Sequence, residues 1–352
     1  MTGVCAGMEI SMEQSCFYDK RFYGIQILRG ITALFIVLEH IRFLNCGAFG
    51  VDIFFCISGF MIMFSTQKDT SHFLSKRLIR ILPLYYLMTL STFFLLLLFP
   101  NLFATSTPKI EYLVKSLLFL PFDIGDGAIQ PLMRVGWTIQ CEIFFYLLFR
   151  FSLWISHRFR GLVCSLLLAG FVLAARFFPA PSLFLSFYGA PVMLEFILGI
   201  LCFYLARLLY TAREKGKLPA FCKWLAFLLI FGIYLYFLIT KPTVNILGFR
   251  RPLIWGIPAA LLVLAFFLLE FYVTFPPSMV LLGNSSFSIY LLHYYPVVFL
   301  DRKLFDFGSF TRQIAQVIEF RSSDLTLSHD GYGRDFRGVQ RIRFFHADAI
   351  GN

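Results

Sequence analysis

Charge is scarce in this sequence. Of 352 residues, 14% are Asp, Glu, Lys or Arg, against about 25% in a soluble globular domain. That shortage, with 59% hydrophobic residues and 46 phenylalanines, excludes a water-soluble fold, because a chain of this size has no interior large enough for so much apolar surface. Metal-binding cysteine patterns are also missing. The eight cysteines (Cys5, Cys16, Cys46, Cys56, Cys141, Cys164, Cys202 and Cys222) include no C-x-x-C pair and none at ligand spacing from a His, so neither a structural metal nor a disulfide framework is expected. Several fall in apolar runs, where Cys behaves as a small hydrophobe. No basic face with interleaved aromatics appears, which argues against nucleic acid as a partner despite the net charge of +11. No internal repeat is visible, which weakens an inverted-repeat transporter. The first hydrophobic run has no small-residue cleavage site and reads as a retained span. Met8 and Met12 are alternative starts.

What the sequence does have is long apolar runs, several exceeding the roughly 20 residues needed to cross a hydrocarbon core. They are continuous rather than alternating, so helices rather than a barrel satisfy the backbone in lipid. The expected fold is all-α, a polytopic membrane bundle of about nine transmembrane helices at 25–44, 47–66, 81–99, 137–155, 162–178, 183–205, 224–240, 253–270 and 281–300. Residues 1–24 read as a cytoplasmic segment, 25–300 as the transmembrane domain and 301–352 as a polar tail, either a disordered extension or an aberrant end left by truncation or frameshift. Lys68, Lys76, Arg77 and Arg80, then Arg158 and Arg160, then Arg207, Arg213, Lys215, Lys217 and Lys223 occupy loops that alternate correctly if the N-terminus is cytoplasmic. One loop dissents: 241–252 should face outward yet holds Lys241, Arg250 and Arg251. Either these arginines serve a function or the span count is off there. Within the long 100–136 connection, Tyr112 to Phe122 is too short to span and reads as a re-entrant or interfacial helix.

Ionisable groups inside spans each cost roughly 2.5–3.5 kcal/mol to insert, which makes them functional candidates; packing pairs and snorkelling are the bland alternatives. Arg29 and His40 lie eleven residues apart in the first span, about three turns, on one face and roughly 16 Å apart along the axis. His40 can take and return a proton near neutrality. Glu39 and Arg42 are expected at the outer interface, paired with each other. Asp52, just past the turn, either orients His40 as a carboxylate does for a catalytic His or is an acid favoured at a helix N-terminus. Ser58 and Gly59 read as close-packing small residues, since no G-x-S-x-G elbow surrounds Ser58. Arg77 and Arg80, at i and i+3, present two guanidiniums on one face, suited to the phosphates of a donor such as acyl-CoA or to plain positive-inside anchoring. Pro83 fits a helix start. Glu142 shares a face with Tyr146 and suits an arginine or an acceptor hydroxyl. Glu195, Glu270 and His293 are weaker candidates, readable as hydrogen-bonded core groups.

At these residues the chain resembles the membrane-bound acyltransferase-3 family, over about residues 22–300. The marks are Leu28-Arg29-Gly30 with His40, Gly50-Val51-Asp52-Ile53-Phe54-Phe55 with Ile57-Ser58-Gly59-Phe60, Phe73, and Arg77-Leu78-Ile79-Arg80-Ile81-Leu82-Pro83-Leu84-Tyr85-Tyr86. Gly136-Trp137-Thr138 with Glu142 and Phe145-Tyr146 follows, and Ser288 to His293 comes late. Arg250-Arg251-Pro252 and Trp255 to Ala259 look most like the exopolysaccharide-production members. The resemblance implies a bacterial inner-membrane enzyme that moves an acyl group, usually acetyl from acetyl-CoA as donor substrate, onto a hydroxyl of a polysaccharide or lipid-linked sugar, with no permanently bound cofactor. It carries over Arg29 and His40 as a signature pair, Arg77 and Arg80 as a second basic motif, and Glu142. It also implies a tenth span after His293, for which the tail offers no apolar run. The remaining readings are an exporter of a glycan or lipid-linked sugar, using the same charges as its path, and a non-catalytic membrane scaffold.

Overall fold

The chain is seen in a computed structural model that describes residues 17, 21–41, 44, 46–67, 70–99, 108–123, 129–178, 182–240, 248–297 and 299. Among these the architecture is helical, with no strand beyond an isolated bridge between Asp123 and Ile129. The helices are α1 (Tyr23–Glu39), α2 (Gly50–Ser65), α3 (Phe73–Leu98), α4 (Ile110–Leu117), α5 (Trp137–Ile155), α6 (Arg160–Phe177), α7 (Leu183–Tyr188), α8 (Leu194–Glu214), α9 (Cys222–Thr240), α10 (Ile257–Leu269), α11 (Pro277–Asn284) and α12 (Ser286–Leu292). Among the described residues, six helical segments are long and apolar enough to cross a membrane: α3, α6, α9, and α5, α8 and α10 each with its preceding turn. The molecule is a polytopic membrane helical bundle. α2 is apolar but has 16 residues, and α1 has 17.

The expected spans need three corrections. The third helix begins at Phe73, so Arg77 and Arg80 lie inside it and Pro83 is an interior residue rather than a start. Its ring removes one backbone hydrogen bond and crowds the preceding turn. The span expected at 183–205 is broken: α7 ends before Gly189, and Pro191 starts a single 3₁₀ turn leading into α8. The last expected span is divided at Ser285 into α11 and α12. The 112–122 run forms only α4, eight residues long or about 12 Å, and Tyr85 Oη on α3 donates to its Ser116 carbonyl at 2.9 Å. The tail 301–352 and the proposed starts Met8 and Met12 lie outside the described residues.

Apolar side chains line the outside as well as the core. Ile79, Leu87, Phe94 and Leu98 on α3, and Leu228, Phe231 and Ile239 on α9, are exposed. α9 buries only Ala226, Ile233 and Phe237. Contiguous apolar surface of this extent is unstable in water and ordinary against lipid. Inside, α2 and α8 approach each other closely. A Cβ on Gly59 would stand 2.2 Å from the Phe196 carbonyl oxygen, and one on Gly199 would stand 2.1 Å from that of Cys56. With no hydrophobic drive between helices in lipid, this close backbone approach is what joins them. Phe196 then stacks between Phe55 (centroids 4.4 Å apart) and Phe145 (4.2 Å), tying α2, α8 and α5 into one core.

Candidate active site

α1, α2, α3, α5 and α12 surround a cleft that opens at one side. Arg29 enters it from α1, Ser58 from α2, Arg77 and Arg80 from α3, Thr138, Glu142 and Tyr146 from α5, and Phe287 and Tyr290 from α12. The wall between these groups is apolar, with Val51, Phe54, Ile81 and Ile139. Three guanidiniums against one carboxylate leave the lining strongly cationic.

Each charge is held differently. Glu142 Oε1 accepts the Ser58 hydroxyl at 2.9 Å and also the Tyr146 hydroxyl. Arg77 Nη2 donates to Ser65 Oγ at 2.9 Å, and its guanidinium lies 5.7 Å from the Tyr146 ring centroid. Arg80 is exposed at the rim. Arg29 feels repulsion from Arg80 and Arg77 and attraction from Glu142, and its buried Nε makes no hydrogen bond. A buried charged donor without a partner is costly in an apolar wall. An anionic or carbonyl oxygen of a ligand would supply the missing acceptor.

Two of the candidate catalytic residues, His40 and Asp52, lie outside this cleft. His40 is the exposed residue that ends α1, and it does not line this cleft. Its Nδ1 lies 2.8 Å from the Ile36 carbonyl oxygen and 3.3 Å from His293 Nε2. Asp52 does not orient it. Both Asp52 oxygens are taken by Arg251, Nε to Oδ1 at 2.9 Å and Nη2 to Oδ2 at 2.8 Å, and all three side chains of Asp52, Glu195 and Arg251 are buried. Glu195 stands 3.9 Å from Arg251 Nε, with neither oxygen hydrogen-bonded. A bidentate guanidinium–carboxylate pair is the arrangement that tolerates such burial. It also accounts for the dissenting loop: Arg251 is neutralised inside the bundle, so it gives no signal of orientation, while Arg250 is exposed and Lys241 lies outside the described residues. Glu142 is engaged inside the cleft by the Ser58 and Tyr146 hydroxyls.

The remaining candidates are structural. Glu39 accepts the backbone N–H groups of Gly47 (2.6 Å) and Ala48 (2.9 Å), closing the turn between α1 and α2; Arg42, its expected partner, lies outside the described residues. Glu270 accepts from the N–H groups of Tyr23 and Gly24, capping α1 from across the bundle. Gly59 packs as expected, but Ser58 faces the cleft. Tyr290, within the Ser288 to His293 mark but given no role by the sequence, lines the cleft, and its hydroxyl joins Thr138 Oγ1 at 2.6 Å.

An arginine-lined cleft within an apolar helical bundle defines an integral membrane protein with a cationic site. The comparisons give the class its name. The family described as acyltransferase domain matches residues 22–320, and the chain belongs to this acyltransferase-3 family; it is a multi-pass membrane acyltransferase. It is similar to the exopolysaccharide production protein ExoZ of Rhizobium meliloti, 32% identical over 265 residues covering 71% of this chain and 77% of that protein. It is also similar to the O-acetyltransferase OatA of Staphylococcus aureus, 30% identical over 163 residues covering 41% of this chain and 27% of that protein. No solved structure matches it.

Proposed function

We propose that this protein transfers an acetyl group from acetyl-CoA to a hydroxyl of an exopolysaccharide or its lipid-linked precursor in the bacterial inner membrane. The observation that carries this reading is the convergence of Arg29, Arg77 and Arg80 on one cleft, with the Arg29 Nε–H unpartnered. Guanidiniums grip phosphate by paired hydrogen bonds, so Arg77 and Arg80 hold the anionic end of the donor near the end of α3 that the loop charges place in the cytoplasm. Arg29, deeper along α1, grips an anionic or carbonyl oxygen of the donor's arm and so positions the thioester end towards His40. Support for acetyl and for a glycan acceptor comes from what the two relatives are named for, O-acetyl transfer and exopolysaccharide production.

His40 takes the proton. Its Nδ1 faces the Ile36 carbonyl, which leaves Nε2 as the basic nitrogen. As the acceptor oxygen bonds to the acyl carbon, the hydroxyl proton passes to His40 Nε2, the C–S bond breaks, and the CoA thiolate leaves and is protonated. His40 stands roughly 16 Å along α1 from Arg29. A donor with phosphates at one end and a long flexible arm ending in the thioester suits two centres spaced along one helix.

The test is acetylation of the surface polysaccharide, read by mass spectrometry, in a deletion strain carrying His40→Ala. Acetyl groups should disappear while the protein persists in the membrane. Retained acetylation would refute the role of His40.

A further inference from the structure

An exposed histidine at the end of a helix needs a partner to hold it in one orientation. That partner lies 253 residues away in sequence, at the C-cap of α12. His293 Nε2 is 3.3 Å from His40 Nδ1, and the two rings lie 4.9 Å apart between centroids, tilted by 60°. The members of this pair differ: His40 is exposed, whereas His293 is 5% exposed. The hydrogen-bond chain fixes both tautomers. His293 Nδ1 lies 3.3 Å from the Ile289 carbonyl oxygen, which only accepts, so the His293 proton sits on Nδ1 and Nε2 is a lone pair. That lone pair faces His40 Nδ1, whose proton it shares with the Ile36 carbonyl. His40 is therefore held with Nε2 unprotonated and turned away from the pair, the tautomer a general base needs.

We infer that His293 is a positioning residue for His40, supplying through its Nε2 lone pair the acceptor that a carboxylate supplies in other His-based sites. The inference rests on the proposed role of His40 as the base. When His40 is neutral, His293 and Ile36 fix its ring. When His40 Nε2 takes the acceptor's proton, the resulting imidazolium donates a stronger, charge-assisted hydrogen bond from Nδ1 to the same lone pair. A neutral acceptor suits this location. His293 is buried among the apolar walls of α12, and its ring lies 5.9 Å from that of Tyr290, which lines the arginine cleft. A carboxylate there would carry a charge into the bundle, as an imidazole need not. α12 thus touches both centres, with Tyr290 on the donor cleft and His293 on the base, one turn apart.

The experiment compares full-length protein in nanodiscs, wild type against His40→Ala, His293→Leu and His293→Gln, measuring kcat for transfer and KM for acetyl-CoA. Gln places an amide oxygen near the position of Nε2 and keeps an acceptor; Leu keeps the bulk and removes it. The expected pattern is no transfer by H40A and a fall in kcat of roughly 10–100-fold in H293L, part of the 10²–10⁴ a general base contributes. KM for acetyl-CoA should stay unchanged in H293L, and H293Q should recover most of kcat. If H40A is inactive but H293L retains wild-type kcat, the positioning role is overturned and the reading of His40 stands. If H293Q is as impaired as H293L, bulk packing and not the acceptor matters, and the inference is again overturned. If H40A transfers normally, both fall together.

Discussion

Arg77 and Arg80 reach the cleft from successive turns of α3, and their loss should be felt in donor binding. A hydrogen bond to a charged group contributes about 1.5–3 kcal/mol, so Arg77→Ala or Arg80→Ala should raise the KM for acetyl-CoA by roughly ten- to a hundredfold. Lys at either position should recover only part, because it keeps the charge and loses the paired geometry. Steady-state kinetics in nanodiscs checks this; an unchanged KM in both Ala variants would remove the arginines from the donor site. Glu142 is the one carboxylate lining the cleft. Glu142→Gln preserves an acceptor for the Ser58 and Tyr146 hydroxyls, whereas Glu142→Ala leaves both unpartnered. The Gln variant should therefore stay folded and the Ala variant should lose about 1–3 kcal/mol of stability, read as a lower melting temperature in detergent.

Between elements, two devices set how the helices meet. At the α2–α8 crossing, backbone atoms fill the space a side chain would need, and Gly59→Leu should prevent the crossing outright, since neither helix backbone can give way. The expected outcome is loss of monodisperse protein on size exclusion, against normal behaviour for Gly170→Leu, where a Cβ meets nothing. The second device is the Asp52–Arg251 pair, which ties the start of α2 to the turn before α10. Removing one partner of a buried pair strands the other charge, at about 3–5 kcal/mol. Asp52→Asn should lower the unfolding temperature sharply while the surviving folded fraction keeps its kcat, the outcome that separates a structural carboxylate from one that orients His40.

For the whole molecule, the charge pattern makes orientation testable. With a cytoplasmic N-terminus, Cys46 lies in the outer turn between α1 and α2 and Cys222 at the cytoplasmic start of α9; both are half-buried thiols. In intact spheroplasts a membrane-impermeant maleimide should label a variant keeping Cys46 alone and spare one keeping Cys222 alone, with the sparing lost on lysis. The reverse pattern would invert the bundle and put the arginine cleft on the wrong side for a cytoplasmic donor.

By itself the sequence determined that this is a helical membrane protein and marked some of the charges inside it, but it put Arg251, which is buried, in an outer loop. Hydropathy and the cost of inserting a charge are local, so they can be read along a single stretch, as for 137–155. Arg29 and Glu142 stood out for the same reason, and Arg77 and Arg80, read at the end of a loop, stood out by their i, i+3 spacing. Only the tertiary structure decided their partners. Asp52 finds Arg251 across 199 residues and His40 finds His293 across 253, because helix threading and the close approach of glycines place groups side by side that no sequence period connects. Asp52, next to His40 in the chain, was drawn away by a guanidinium that needed burying, and a histidine that resembled a core residue took its place.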